Sequence, residues 1–258
     1  MSAVEVAAHI SGREDGPVVV LSNSLGSDHR MWDEQIAELD KHFRVVRYDT
    51  RGHGASPVPA GPYSIDDLAD DVIALLDRLG VAKAHIVGLS LGGMTAMRLA
   101  VRNPERVDRV VLFCTSPHMP PADAWKDRAG GVRSDGTASI AESVVSRWFS
   151  PGYLADPANR AAVEHYQSMV AATPDEGYAG CCEAIAGMDQ RAEIGAITAP
   201  TLAVAGADDP ATPPATLASI VESIAGASLL VVDDAAHLAP AEQPATITPA
   251  IIEHLEQS

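Results

Sequence analysis

The sequence predicts an α/β fold: a mostly parallel central sheet flanked by helices, with a helical insertion. Three observations predict it. Short runs of β-branched and apolar residues alternate with helical patterns, first up to about residue 115 and again from about 198. Those runs are near-continuously apolar, as expected of strands covered on both faces. Between about 116 and 197 the alternation stops and only helical pieces occur.

VEVAAHI (4–10) is a short candidate strand, and GPVVVLSN (16–23) a better one. FRVVRYD (43–49), AKAHIVGLS (82–90), RVVLFC (109–114), APTLAVAG (199–206) and SLLVVDD (228–234) complete the series. Helical patterns fall between them at 31–39, 64–80 and 94–103. Ser64, three residues before Asp67, reads as an N-cap with acidic first-turn residues, although a strict capping box has Glu or Gln there. ASIAESVVSRWF and NRAAVEHYQSMV are helical pieces of the middle stretch. The expected organisation is a core of 1–115 and 198–258, with 116–197 forming a cap over the carboxyl ends of the strands, where such sheets bind ligands.

The chain has 258 residues, enough for one such domain with a sizeable core. It carries 35 acidic against 18 basic side chains, a net charge of −17, which disfavours nucleic acid and anionic membranes as partners. Its three cysteines, Cys114, Cys181 and Cys182, are odd in number and lack metal-ligand spacing, so neither a disulfide framework nor a zinc site is expected. No apolar run approaches a membrane span, and the first residues lack a signal-peptide pattern. A soluble cytoplasmic protein is the expectation.

AHIVGLSLGGMTAMRLA carries the chemistry. Here G-x-S-x-G lies between a strand and a helix, the setting of a nucleophile elbow that exposes a serine above the sheet. A tight turn at Ser90 brings the positions two before and two after it together, which asks for Gly88 and Gly92. The Leu91 N–H, at the helix start, can then face a developing oxyanion. Leu25, before Gly26 in LSNSLGSDHRMW, is the candidate second donor.

A serine nucleophile needs a base, and the base an orienter; in this setting the chain order is Ser, acid, His. GADDP offers Asp208 and Asp209, of which Asp209 is favoured. Asp233 and Asp234, near the end of the next strand, suit a turn or the solvent. Of nine histidines only His237 and His254 follow that acid; His254 lies in a helical pattern and reads as a surface residue. His53, in the RGHG turn, reads as structural.

DTRGHGAS, GLSLGG, GADDP and AHLAPAEQP resemble the α/β-hydrolase superfamily. LSNSLGSDHRMWD, AGPYSIDDLADDV, RWF (147–149) and YAGCCEAIAGMDQR are similar, within it, to 3-oxoadipate enol-lactonases. The resemblance implies an α/β-hydrolase fold and resolves the acid as Asp209, at the end of a G-x-x-D step. It also implies hydrolysis of an anionic lactone in aromatic degradation through a Ser90–His237–Asp209 acyl-enzyme, without cofactor or metal. Many superfamily members have His-Gly where this chain has Asn23-Ser24, and there the lactonases resemble this chain. Where the family begins with two strands before the LSNSLG strand, only VEVAAHI is available. The substrate's carboxylate asks for a cation among Lys126, Arg128, Arg133 and Arg147, with Arg133 chosen, and Trp148 is a candidate pocket wall. A general carboxylesterase or another lactonase, a cofactor-free haloperoxidase, a carbon–carbon hydrolase and a non-catalytic ligand binder are the alternatives.

Overall fold

Seven strands form one sheet in the computed structural model, which describes residues 2–257. They are β1 (Ala8–Gly12), β2 (Val18–Ser22), β3 (Arg44–Tyr48), β4 (Ala84–Leu89), β5 (Val107–Phe113), β6 (Thr201–Gly206) and β7 (Ser228–Val232). Their spatial order is β1-β3-β2-β4-β5-β6-β7; β1 pairs antiparallel with β3, and every other pair is parallel. Parallel neighbours require crossovers, and the helices supply them. Outside the insertion these are α1 (Asp33–His42), α2 (Ile65–Arg78) and α3 (Leu91–Arg102), then, after it, α9 (Pro214–Ser223), α10 (Ala239–Glu242) and α11 (Pro244–Glu256).

The strand residues divide strictly between two cores. Ile86, Val110, Leu112, Ala203 and Ala205 pack with Leu76 of α2, Met97 of α3 and Ile220 of α9. Their neighbours Val87, Val111, Phe113, Leu202 and Val204 pack on the other face with Leu39 of α1 and Ile251 of α11. This period of two, apolar on both faces, is why the strands read as unbroken hydrophobic runs. At the β7 edge the second cover is partial, and Leu229 and Val231 remain exposed.

Between β5 and β6 the chain is helical: α4 (Ala122–Asp135), α5 (Ala141–Val145), α6 (Pro151–Ala155), α7 (Arg160–Ala171) and α8 (Asp175–Ala186), with short 3-10 turns. ASIAESVVSRWF, expected as one helical piece, is divided: residues 137–139 form a 3-10 turn after Gly136 (φ 80°), and only α5 is α-helical. The first strand begins later than VEVAAHI suggests. Val4 N–H donates to Asp71 Oδ1 (2.7 Å) and Ala7 N–H to Ser56 Oγ (2.9 Å), so side chains take the donors a ladder would use. Asp67 does complete a capping box: its Oδ2 accepts from Ser64 N–H (2.9 Å) and its own N–H donates to Ser64 Oγ (3.2 Å). His254 is buried rather than on the surface, with Nε2 3.2 Å from the carbonyl oxygen of Pro200, because α11 packs against β5 on one face of the sheet. No helix among the described residues is long and apolar enough to cross a membrane.

Candidate active site

Ser90 joins β4 to α3 with φ 54° and ψ −113°, a left-handed conformation that costs a non-glycine residue about 1–3 kcal/mol. Its backbone is held on both sides. The N–H donates to Phe113 O (2.9 Å), while its carbonyl accepts from Met94 N–H (2.9 Å) and Thr115 Oγ1 (2.7 Å). The glycines are explained by what a Cβ would meet: 2.2 Å from Gly92 O if placed on Gly88, 2.1 Å from Ser22 O on Gly92, and 2.7 Å from Thr115 Cβ on Gly93. Ser90 therefore stands on a turn that only glycine neighbours permit. Leu91, first in α3, has no intrahelical acceptor for its N–H.

The register brings the other loops to the same edge, pairing Ser22 with Gly88, Leu89 with Phe113, and Gly206 with Val232. After β6, Asp209 is buried and its Oδ2 lies 2.8 Å from His237 Nδ1. Thr212 Oγ1 (2.6 Å) and the N–H groups of Ala211 (2.8 Å) and Thr212 (3.2 Å) also donate to this carboxylate. Burial alone would raise its pKa, but His237 and these donors outweigh burial and hold it down to about 2. Asp208, Asp233 and Asp234 are exposed. Ser90 and His237 line one cavity, and among the described residues neither Ser90 Oγ nor His237 Nε2 has a hydrogen-bond partner. Cys114 lies behind the acid, its Sγ within 4.8 Å of ligand atoms of Asp209 and His237. Burial and the Asp209 charge raise its pKa well above the ordinary value, so it is a neutral thiol filling space.

Leu25 lines the cavity, and its N–H has no partner among the described residues. Asn23 does not reach the cavity; it bridges Tyr48 O (2.6 Å) and Trp32 Nε1 (3.0 Å) beneath the loop.

The cavity, about 470 Å³, is roofed by Met119, Trp125, Arg128, Arg147, Trp148 and Tyr178. Trp148 combines two roles, because it also packs edge-on against Tyr166 at 6.2 Å within the insertion. Arg133 is not in the cavity, which corrects the expectation from sequence. Its guanidinium is neutralised by Glu176 (2.7 Å) and Glu183 (2.6 Å). Five residues along α4 turn about 140° around the axis, so Arg133 cannot share the face of Arg128. Arg128 sits 5.5 Å over the Trp125 ring and 5.9 Å over Tyr178, whereas Arg147 lines the same cavity with part of its surface exposed. Neither arginine pairs with a carboxylate among the described residues. Burial and the neighbouring Arg128 charge both push the pKa of Arg147 down.

Residues 17–137 match the alpha/beta hydrolase fold family, and residues 172–258 a family described as TAP-like protein. The chain is 41% identical to 3-oxoadipate enol-lactonase 2 of Acinetobacter baylyi, over 97% of this chain and 94% of that one. It is 37% identical to 3-oxoadipate enol-lactonase 1 of the same organism, over 93% and 88%. Among solved structures, the enol-lactonase from Burkholderia xenovorans superimposes with a TM-score of 0.95 at 39% identity, covering 98% of this chain and 97% of that one.

Proposed function

Because the chain belongs to the 3-oxoadipate enol-lactonase family of α/β hydrolases, we propose that it hydrolyses 3-oxoadipate enol-lactone to 3-oxoadipate through an acyl-enzyme on Ser90. His237 Nε2 takes the Ser90 proton as Oγ bonds to the lactone carbonyl carbon, and Asp209 holds the ring through Nδ1–H. The N–H groups of Leu25 and Leu91 receive the oxyanion. Collapse of the tetrahedral intermediate breaks the ring C–O bond while His237 passes the proton taken from Ser90 to the leaving oxygen, giving an enol that stays tethered through the acyl group. Tautomerisation to the ketone removes the oxygen nucleophile that could re-close the ring. Water, deprotonated by His237, then attacks the acyl carbon and frees Ser90. These steps ask for no cofactor.

The observation that carries the anionic substrate is the pair Arg128 and Arg147, cations without acidic partners in a cavity they share with Ser90 and His237. A hydrogen bond to a charged group contributes about 1.5–3 kcal/mol, or about 10- to 100-fold in affinity. The lactone and its neutral methyl ester should therefore differ by about that factor in kcat/KM. Arg128→Met with Arg147→Met should erase the difference and leave the methyl ester rate near its starting value. Equal kcat/KM for the two substrates in the unaltered enzyme would remove the carboxylate from the recognition scheme.

A further inference from the structure

The loop after β2 is held from behind at two consecutive peptide groups. Ser24 O accepts both the Ser27 N–H (3.2 Å) and the Ser27 hydroxyl (2.8 Å). The Gly26 N–H donates to His53 Nε2 at 3.0 Å. Ser24 N–H is directed at Met31 Sδ, 3.3 Å away. Of the four amides from Ser24 to Ser27, only that of Leu25 lacks a partner among the described residues. The Ser24–Leu25 peptide is trans, so its carbonyl and its N–H point in opposite directions. Pinning Ser24 O toward Ser27 therefore aims the Leu25 N–H the other way.

His53 fixes the next peptide. It is fully buried, and its Nε2 can accept from Gly26 only when the proton sits on Nδ1, which donates to Arg51 O at 3.2 Å. Arg51 is itself gripped by Asp71 through two contacts of 2.6 Å. Burial pushes the imidazole pKa down, which keeps the accepting lone pair available. With the peptides on both sides of Leu25 anchored, the residue has no free torsion about which its N–H could swing.

We infer that Ser27 and His53 are positioning residues for the oxyanion donor, holding the Leu25 N–H in its working direction before any charge develops. The inference rests on the Ser90 reading above. A donor aligned in advance needs no reorganisation in the transition state, and losing one such donor costs about 10²–10³ in kcat. Misaligning it should forfeit part of that.

The test uses Ser27→Ala, His53→Ala and His53→Gln, with p-nitrophenyl acetate as substrate. Phenylboronic acid is the second probe, since its tetrahedral adduct on Ser90 carries a negatively charged oxygen. Ser27→Ala and His53→Ala should lower kcat by about 10- to 100-fold, leave KM within about twofold, and weaken phenylboronic acid by the same factor as kcat. His53→Gln, whose amide can accept from Gly26 and donate to Arg51 O, should recover most of the rate. If His53→Ala does not fold, Ser27→Ala and His53→Gln carry the test. A folded Ser27→Ala with kcat and phenylboronic acid affinity within about twofold of the parent, beside an active parent, overturns this inference alone. A folded parent inert to esters and blind to phenylboronic acid overturns the Ser90 reading, and this inference with it.

Discussion

Asp209 shows how burial and pairing compete at a single residue. Desolvation works against its charge, yet His237, Thr212 and Ala211 supply enough donors to hold its pKa at about 2. Asp209→Asn should keep the fold and lower kcat by about 10⁴, since an amide no longer secures the required imidazole tautomer. A steady-state assay beside a circular dichroism spectrum checks this; a comparable loss with Asp208→Asn instead would reassign the acid. The same residue makes stability depend on pH. Its folded pKa lies below the unfolded value of about 3.9, so its contribution is present above that value and lost as pH falls toward 2. The gap in unfolding free energy between the parent and Asp209→Asn should shrink by about 2 kcal/mol between pH 5 and pH 2, measured by urea titration. A gap independent of pH would mean that the carboxylate is not held by its partners.

At the scale of elements, the junction of β2, β4 and α3 has no slack. A Cβ on Gly92 would sit 2.1 Å from Ser22 O, a backbone atom that cannot rotate away. Gly92→Ala should therefore cost about 3 kcal/mol or more in urea unfolding and displace the loop bearing Leu25 relative to Ser90. Gly130, inside α4 with nothing within 4 Å of its hypothetical Cβ, is the control: Gly130→Ala should stabilise by about 0.5–1 kcal/mol. Equal effects at both positions would refute the close-packing account. The same contrast explains what could be read from the sequence. Strands such as APTLAVAG and the turn GLSLGG were legible because buried periodicity and glycine crowding are local signals. The choice among Arg128, Arg133 and Arg147 was not, because α4 carries polar residues around much of its circumference and only the packing of α8 decides which face meets the cavity. Ser27 and His53 were illegible for another reason. Their significance lies in bonds to Ser24 O and Gly26 N–H, and RGHG alone does not reveal that its histidine serves a loop 27 positions earlier.

Across the whole molecule, the cavity is shared between loops of the sheet and the helical insertion, so the two must be fixed to one another near His237. Three bonds do this. Leu238 N–H donates to Trp148 O (2.7 Å), while the buried Glu242 carboxylate accepts from Ala236 N–H (2.5 Å) with one oxygen and Ser150 N–H (2.8 Å) with the other. One carboxylate thus holds the residue before the histidine and the segment that follows Trp148. Burial raises its pKa above the ordinary value, partly offset by those two amides and the Ser150 side chain. Because the folded pKa is the higher one, acidification through this group favours the folded state, the opposite sign to Asp209. Removing the side chain strands two N–H groups at once, at about 1–3 kcal/mol each. Glu242→Ala should therefore lose about 2–6 kcal/mol of unfolding free energy in urea titrations. Any folded fraction should turn over more slowly, because His237 and the Trp148 wall are no longer held in common. Were Glu242→Ala as stable as the parent and fully active, the Leu238–Trp148 bond and the other contacts of the insertion would suffice to hold it over Ser90 without this carboxylate.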